Sequence, residues 1–278
     1  MTAPQDIAYR PRGRFLSNRI GAHASSEVGG FGVFRDQTPF LRHPDARRID
    51  LRATLRDPFG ETYVRRFEQR QAIDVYAIVD LSASMGFGAK HDIAADLVAS
   101  LAFSANRIGD RFGLIGCDRA LRQELLFPAS ASRPLALRAA DSLRAARASG
   151  DGAQGVLDAA AALGAARRLV FLISDFRWPA ALIDRAFAAF SPHDAIPIAI
   201  VDSSEETPPR WGLLELVDAE TGARRLEVMR PALQARWIDD ERRRFAEIAR
   251  LANGRARPPI ILRDRFDALE LGRGLTAA

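Results

Sequence analysis

Apolar residues fall along this chain in two alternating rhythms. Four nearly continuous runs, DVYAIVD (74–80), FGLIGCD (112–118), LVFLISD (169–175) and IPIAIVD (196–202), have strand length and fit parallel strands buried on both faces. Other segments carry apolar positions at helical spacing: His91 to Arg107, Pro134 to Ala148, Gly155 to Leu163, Pro179 to Phe190 and Ala232 to Ala252. Strands alternating with helices predict right-handed βαβ units and a doubly wound, mostly parallel sheet, an α/β fold of Rossmann-like type. Leu121 to Phe127 is expected to pair beside the strand ending at Asp118. Two short apolar runs in 213–229, around Glu220-Thr221-Gly222, predict a hairpin. A strand at Pro259 to Leu262 and a helical tail after Asp267 complete the pattern.

The N-terminal part has a different texture. Residues 1 to about 40 are rich in Gly, Pro, Ser and Arg without sustained periodicity, which predicts an irregular arm. From His43 to Arg70 charge is dense, and Pro58 and Gly60 divide a short helix or turn from a strand-like piece at Glu61 to Glu68. The expected division is a small irregular or β segment over residues 1–70 and the α/β domain over 71–274.

Composition narrows the function. The 278 residues are 47% hydrophobic, enough for a large core. The net charge of +5 rests on arginine, since Lys90 is the only lysine. Arginine suits bidentate capture of carboxylate or phosphate. Yet Arg42, Arg47, Arg48, Arg52 and Arg56 are interspersed with Asp45, Asp50, Asp57 and with Ile49, Leu51 and Leu55. No stacking aromatics lie among them, so nucleic-acid binding is not expected. The lone Cys117 excludes an intramolecular disulfide and reads as a packing residue. No run reaches the roughly 20 apolar residues needed to span a bilayer. The stretch MTAPQDIAYRPRGRF lacks the apolar core of a secretory signal, and the expectation is a cytoplasmic protein.

Each of the four runs ends in an aspartate: Asp80, Asp118, Asp175 and Asp202. In an open parallel sheet, ligands bind outside the carboxyl ends of the strands. Capping a turn or helix explains any one of these residues. Asp80 and Asp175 have more support. Asp80 opens Asp80-Leu81-Ser82-Ala83-Ser84, between a buried strand and a helix, where alternate side chains can turn three oxygens toward one point. One carboxylate and two hydroxyls form a hard, weakly charged set suited to Mg²⁺ or Mn²⁺, with Asp175 as a second carboxylate. Such a metal stays electrophilic and can be completed by an acidic side chain of a partner. That is binding without a general base, and the chain is not expected to be an enzyme. His91 reads as a surface or packing residue. The alternatives are nucleic-acid binding through the Arg-rich segment and a phosphohydrolase using Asp80. The latter expects a second acid where Ser82 stands, and neither Lys90 nor Arg177 is compelling as its phosphate ligand.

The Asp80 string resembles the metal-ion-dependent adhesion site of von Willebrand A domains. The stretch from His43 to about Leu271 is similar to A-domain proteins found with MoxR-type AAA+ ATPases, a group that includes the methanol-oxidation accessory proteins of the MxaS type. ARRIDLRATLRDPFGETYVRRFEQR, DVYAIVDLSASMGFG, IGDRFGLIGCDRAL, LVFLISDF and LLELVDAETGARRLEV carry the likeness. It implies that Asp80, Ser82 and Ser84 form the first metal loop and Asp175 the last. The family places a threonine between them in a Gly-x-Thr loop, where this chain has Ala148-Ser149-Gly150-Asp151-Gly152. Either Asp151 supplies an oxygen there or the position carries no ligand. Leu51, where relatives have tryptophan, is read as packing. The resemblance also implies action with a MoxR-like ATPase in assembly, maturation or metal insertion of a client enzyme complex. Many relatives carry transmembrane helices, a property not transferred to this chain.

Overall fold

The computed structural model describes residues 3–13, 15, 20–29, 33–219 and 221–277. It divides into two units, Arg14–Ile73 and Met1–Gly13 with Asp74–Ala278.

The smaller unit contains β1 (Ile20–Gly29), β2 (Val33–Pro39), the short helix α1 (Leu51–Arg56) and β3 (Tyr63–Gln71). The strands form an antiparallel sheet in the order β1-β3-β2. Part of the expected irregular arm is therefore strand. Its register is broken by bulges, which blurs the period-two pattern that would reveal it. Asp50 starts α1 by accepting from the amides of Arg52 and Ala53 at 3.1 and 3.2 Å. The same carboxylate accepts from Arg65 Nε and Gln37 Nε2, both at 2.8 Å. Leu51, expected to pack, is 70% exposed, as its helix neighbour Leu55 is at 84%.

The larger unit runs β4 (Asp74–Asp80), α2 (Lys90–Ile108), β5 (Arg111–Cys117), β6 (Leu121–Ser130), α3 (Arg133–Ala145), α4 (Gly155–Leu163) and β7 (Leu169–Ser174). It continues through α5 (Ala180–Phe190), β8 (Asp194–Val201), α6 (Ser203–Glu206), β9 (Gly212–Val217), β10 (Arg224–Met229), α7 (Pro231–Ala252), β11 (Ile260–Arg263) and α8 (Ala268–Ala277). Six strands form one sheet in the order β11-β8-β7-β4-β5-β6. Every pairing in it is parallel except β5 with β6. Numbered within the sheet and read from β6, this is the doubly wound order 3-2-1-4-5-6. The strand order therefore reverses between β4 and β7.

Burial follows from that topology. All residues of β7 and β8 are buried, because helices cover both sheet faces. Val156, Leu163, Phe187, Phe190 and Ile248 of α4, α5 and α7 pack with Ile78, Val170 and Leu172 on one face. Helices α2 and α3 pair with each other and meet β5. Helix α2 ends where Gly109 takes φ 88°, allowing its amide to close onto Ala105 and Asn106. No helix among the described residues is long and apolar enough to cross a membrane.

Residues 3–13 lie along the larger unit. The amides of Gln5 and Ile7 donate to Ser100 Oγ and Ser104 Oγ of α2 at 3.1 and 2.8 Å, and Tyr9 Oη donates to Asp110 at 2.7 Å. Arg257, only 6% exposed, forks onto the buried Asp194 through contacts of 2.9 and 2.6 Å. It also donates to the carbonyls of Arg10 at 2.6 Å and Leu275 at 3.3 Å. One guanidinium thus joins the start of β8 to both ends of the chain. Removing it leaves a buried carboxylate without its cation. Arg257→Ala is expected to lower stability by about 3–5 kcal/mol in urea unfolding. A loss no larger than that of a surface ion pair, under about 1 kcal/mol, would show the pair to be dispensable.

Candidate functional site at the strand switch point

The reversal between β4 and β7 opens a crevice at their carboxyl ends, and the sequence places its aspartates there. Asp80 closes β4 and Asp175 follows β7; each is 1% exposed. Ser82 is fully buried and Ser84 is 9% exposed, with their hydroxyls 3.2 Å apart. Asp80, Ser82, Ser84 and Asp175 are thus gathered at one end of the sheet.

Asp80 is held by three donors. Its Oδ1 accepts from the Ser82 amide at 2.8 Å, and its Oδ2 accepts from Ser174 Oγ at 2.6 Å and Trp178 Nε1 at 2.9 Å. Burial pushes its carboxyl up to about 6, with the charge of Asp175 adding to the rise and these hydrogen bonds opposing it. The turn that returns Trp178 to Asp80 passes through Phe176 at φ 52°, a left-handed conformation that costs a non-glycine residue about 1–3 kcal/mol. Ser174 Oγ supports that turn by accepting the Phe176 amide at 2.9 Å.

Asp175 is engaged differently. Its Oδ1 accepts the Arg177 amide at 3.1 Å, and its Oδ2 lies 2.8 Å from the ammonium of Lys90. Lys90 is the first residue of α2 and is fully buried. Its Nζ also reaches Glu205 Oε2 at 2.8 Å. Glu205 lies 3.6 Å from Arg177 Nε, Arg177 Nη1 lies 3.1 Å from Glu241, and Glu241 pairs with Arg244 at 2.8 Å. Arg244 Nη1 then donates to the Asp175 carbonyl at 2.8 Å. The result is a closed ring of alternating charge that ties β7 to α2, α6 and α7.

Asp151 does not join this set. Its side chain is 68% exposed and pairs with Arg119 at 3.2 Å. Its loop meets the Asp80 loop through backbone instead: the Ala83 amide donates to the Gly150 carbonyl at 2.8 Å, and the Gly150 amide to the Leu81 carbonyl at 3.0 Å. Gly150 has to be small, since a Cβ there would lie 2.3 Å from Asp118 Cβ. The remaining strand-end aspartates organise turns. Asp118 accepts the Ala120 amide and Arg122 Nε, and Asp202 accepts the Ser204 amide that starts α6. Cys117 is buried, and burial pushes its thiol well up, as suits a packing residue.

A divalent ion is a poor fit to this arrangement. Every carboxylate oxygen of Asp80 and Asp175 already accepts from a donor within the protein. An ammonium and a dication sharing Asp175 would also repel. A unit pair at about 4 Å costs about 4 kcal/mol at an effective dielectric of about 20, and a dication doubles it.

Comparison with known proteins places the chain. The family described as "Protein of unknown function DUF58" matches residues 41–247. The chain belongs to the DUF58 family. Among its relatives, an uncharacterized protein of Mycobacterium tuberculosis is 29% identical over 238 residues, covering 81% of this chain and 72% of that one. An "Uncharacterized protein in moxR 3'region" of Paracoccus denitrificans is 37% identical over 95 residues, covering 34% of this chain and 90% of that one. A solved von Willebrand factor type A structure from Catenulispora acidiphila aligns at a TM-score of 0.42 and 14% identity, over 77% of this chain and 43% of that one. In this DUF58 chain the Asp80 loop lies in the switch-point crevice with Lys90, Glu205, Glu241 and Arg244, whose meeting the sequence pattern did not reveal. The one signal for them was a sole lysine directly before a helix.

Ser174 is the hinge of the Asp80 half. Ser174→Ala removes a donor from a buried carboxylate and an acceptor from the strained Phe176 turn. It is expected to cost about 1–3 kcal/mol in urea unfolding, and an unchanged midpoint would contradict this account of Asp80.

Proposed function

We propose that this DUF58 protein is an interaction module that works with a MoxR-like AAA+ ATPase in the assembly or maturation of a client enzyme complex. The observation that carries the reading is an open apolar groove beside a closed polar site. Ser84 and Phe87 of the Asp80 loop border a cavity of about 950 Å³, walled further by Pro209, Leu214, Leu216 and Trp237. The β9–β10 hairpin forms the outer wall and pairs with no third strand among the described residues. Its other face also carries apolar side chains, for Leu213, Leu226 and Val228 are 64, 67 and 54% exposed beside the Arg224–Glu215 pair. An isolated two-stranded ribbon gains little stability alone, and a contiguous apolar surface on it marks a place of contact.

The partner is suggested by the Paracoccus relative, whose name sets it beside moxR. A methanol-oxidation client of the MxaS kind is the narrower form of the proposal, resting on resemblance alone. Chemistry at Asp80 finds less support, because both oxygens are held by internal donors and the side chain is away from solvent. Arg177 and Arg244 at the site are likewise paired with Glu205 and Glu241, which gives a phosphate ligand there less support.

The purified protein is expected to bind a MoxR-type ATPase from the same organism in biolayer interferometry. Leu214→Asp with Leu216→Asp should weaken that binding at least tenfold in a chain that circular dichroism shows to be folded. Absence of binding in every nucleotide state would remove the ATPase from the proposal, and undiminished binding by the double variant would remove the groove.

A further inference from the structure

We infer that the Lys90 ammonium supplies the positive charge that the switch-point site would otherwise take from a divalent ion, so that the site is held in one fixed state without metal. The inference goes beyond the interaction role and stands whether or not an ATPase is the partner.

The residue is unusual in kind and in place. Lysine and arginine together number 40 in this chain, and Lys90 is the only lysine. It is fully buried, where charged side chains are found only when paired. It also opens the 19-residue helix α2, whose N-terminal end already carries partial positive charge and disfavours a cation. Neither helix formation nor solvation explains it. Its partners do, for the ammonium lies 2.8 Å from Asp175 and 2.8 Å from Glu205, with the Phe87 ring centroid 5.6 Å away. Arginine, abundant elsewhere, would bring a planar five-donor fork, whereas lysine brings a compact point charge. Compactness is the property a small ion would supply at the same carboxylate.

The rest of the site agrees. The loop that could have contributed a further ligand offers only the Gly150 backbone, and Asp151 turns out to Arg119. The charged ring through Lys90, Arg177 and Arg244 contains as many cations as acids, so within the ring no carboxylate is left for an ion to neutralise. Asp80 is supplied separately by Ser82, Ser174 and Trp178.

Two measurements test this. In a Mn²⁺ titration followed by electron paramagnetic resonance, the wild-type chain should leave the free-ion signal unchanged up to millimolar concentration. Saturable loss of that signal, abolished by Asp175→Asn, would overturn the inference. Lys90→Met should melt lower than wild type and gain a response to metal, with Mn²⁺ or Mg²⁺ at a hundredfold excess over its dissociation constant raising the midpoint by roughly 5–10 °C. A folded Lys90→Met chain that gains no such response would equally overturn it. Should that variant fail to fold, the wild-type titration decides the matter alone.

Discussion

The contact between the Lys90 ammonium and Asp175 is where the packing of this protein and the chemistry of its site meet. A doubly wound sheet leaves a crevice where strand order reverses, and the strands β4 and β7 deliver Asp80 and Asp175 into it. Two buried carboxylates that close to each other are costly unless each is compensated. Asp80 is compensated by three hydrogen-bond donors and Asp175 by an ammonium. From that ammonium the ring continues through Glu205, Arg177, Glu241 and Arg244, fixing α6 and α7 over the end of the sheet. The groove beside the site depends on the same elements, since Trp237 of α7 lines it and donates to the Glu205 carbonyl at 2.7 Å.

How much of this was legible beforehand depends on the range of the forces involved. The strands ending at Asp80, Cys117, Ser174 and Val201, and the helices between them, follow from local apolar periodicity, and the hairpin at β9–β10 follows from two apolar runs around Thr221 and Gly222. Glu220 of that turn lies outside the described residues. Placing Asp80 and Asp175 together needed only the rule that parallel strands share a carboxyl end. The ring could not be read the same way, because Lys90 meets Asp175 across 85 positions and Glu205 across 115. In sequence, Lys90 stands out only as the sole lysine, directly before a predicted helix. Asp151 illustrates the opposite failure: the right residue type in the right loop faces solvent, because backbone of Gly150 makes the contact. In the N-terminal unit, bulged register hides the strands, and Leu51 lies exposed although its apolar character suggested packing.

For function, the consequence is a division of labour between two adjacent surfaces. The switch-point site is polar, buried and satisfied by donors within the protein. The groove and hairpin beside it are apolar and open, and in the proposed function they are the surface offered to a partner.

Because Lys90 is the chain's only lysine, its burial can be read directly by amine acetylation followed by mass spectrometry of the peptide that contains it. The account predicts that Lys90 stays unmodified in the native protein under conditions that acetylate it fully in urea. Acetylation of native Lys90 at the rate seen in the unfolded chain would contradict it, showing that the ammonium is not held between Asp175 and Glu205.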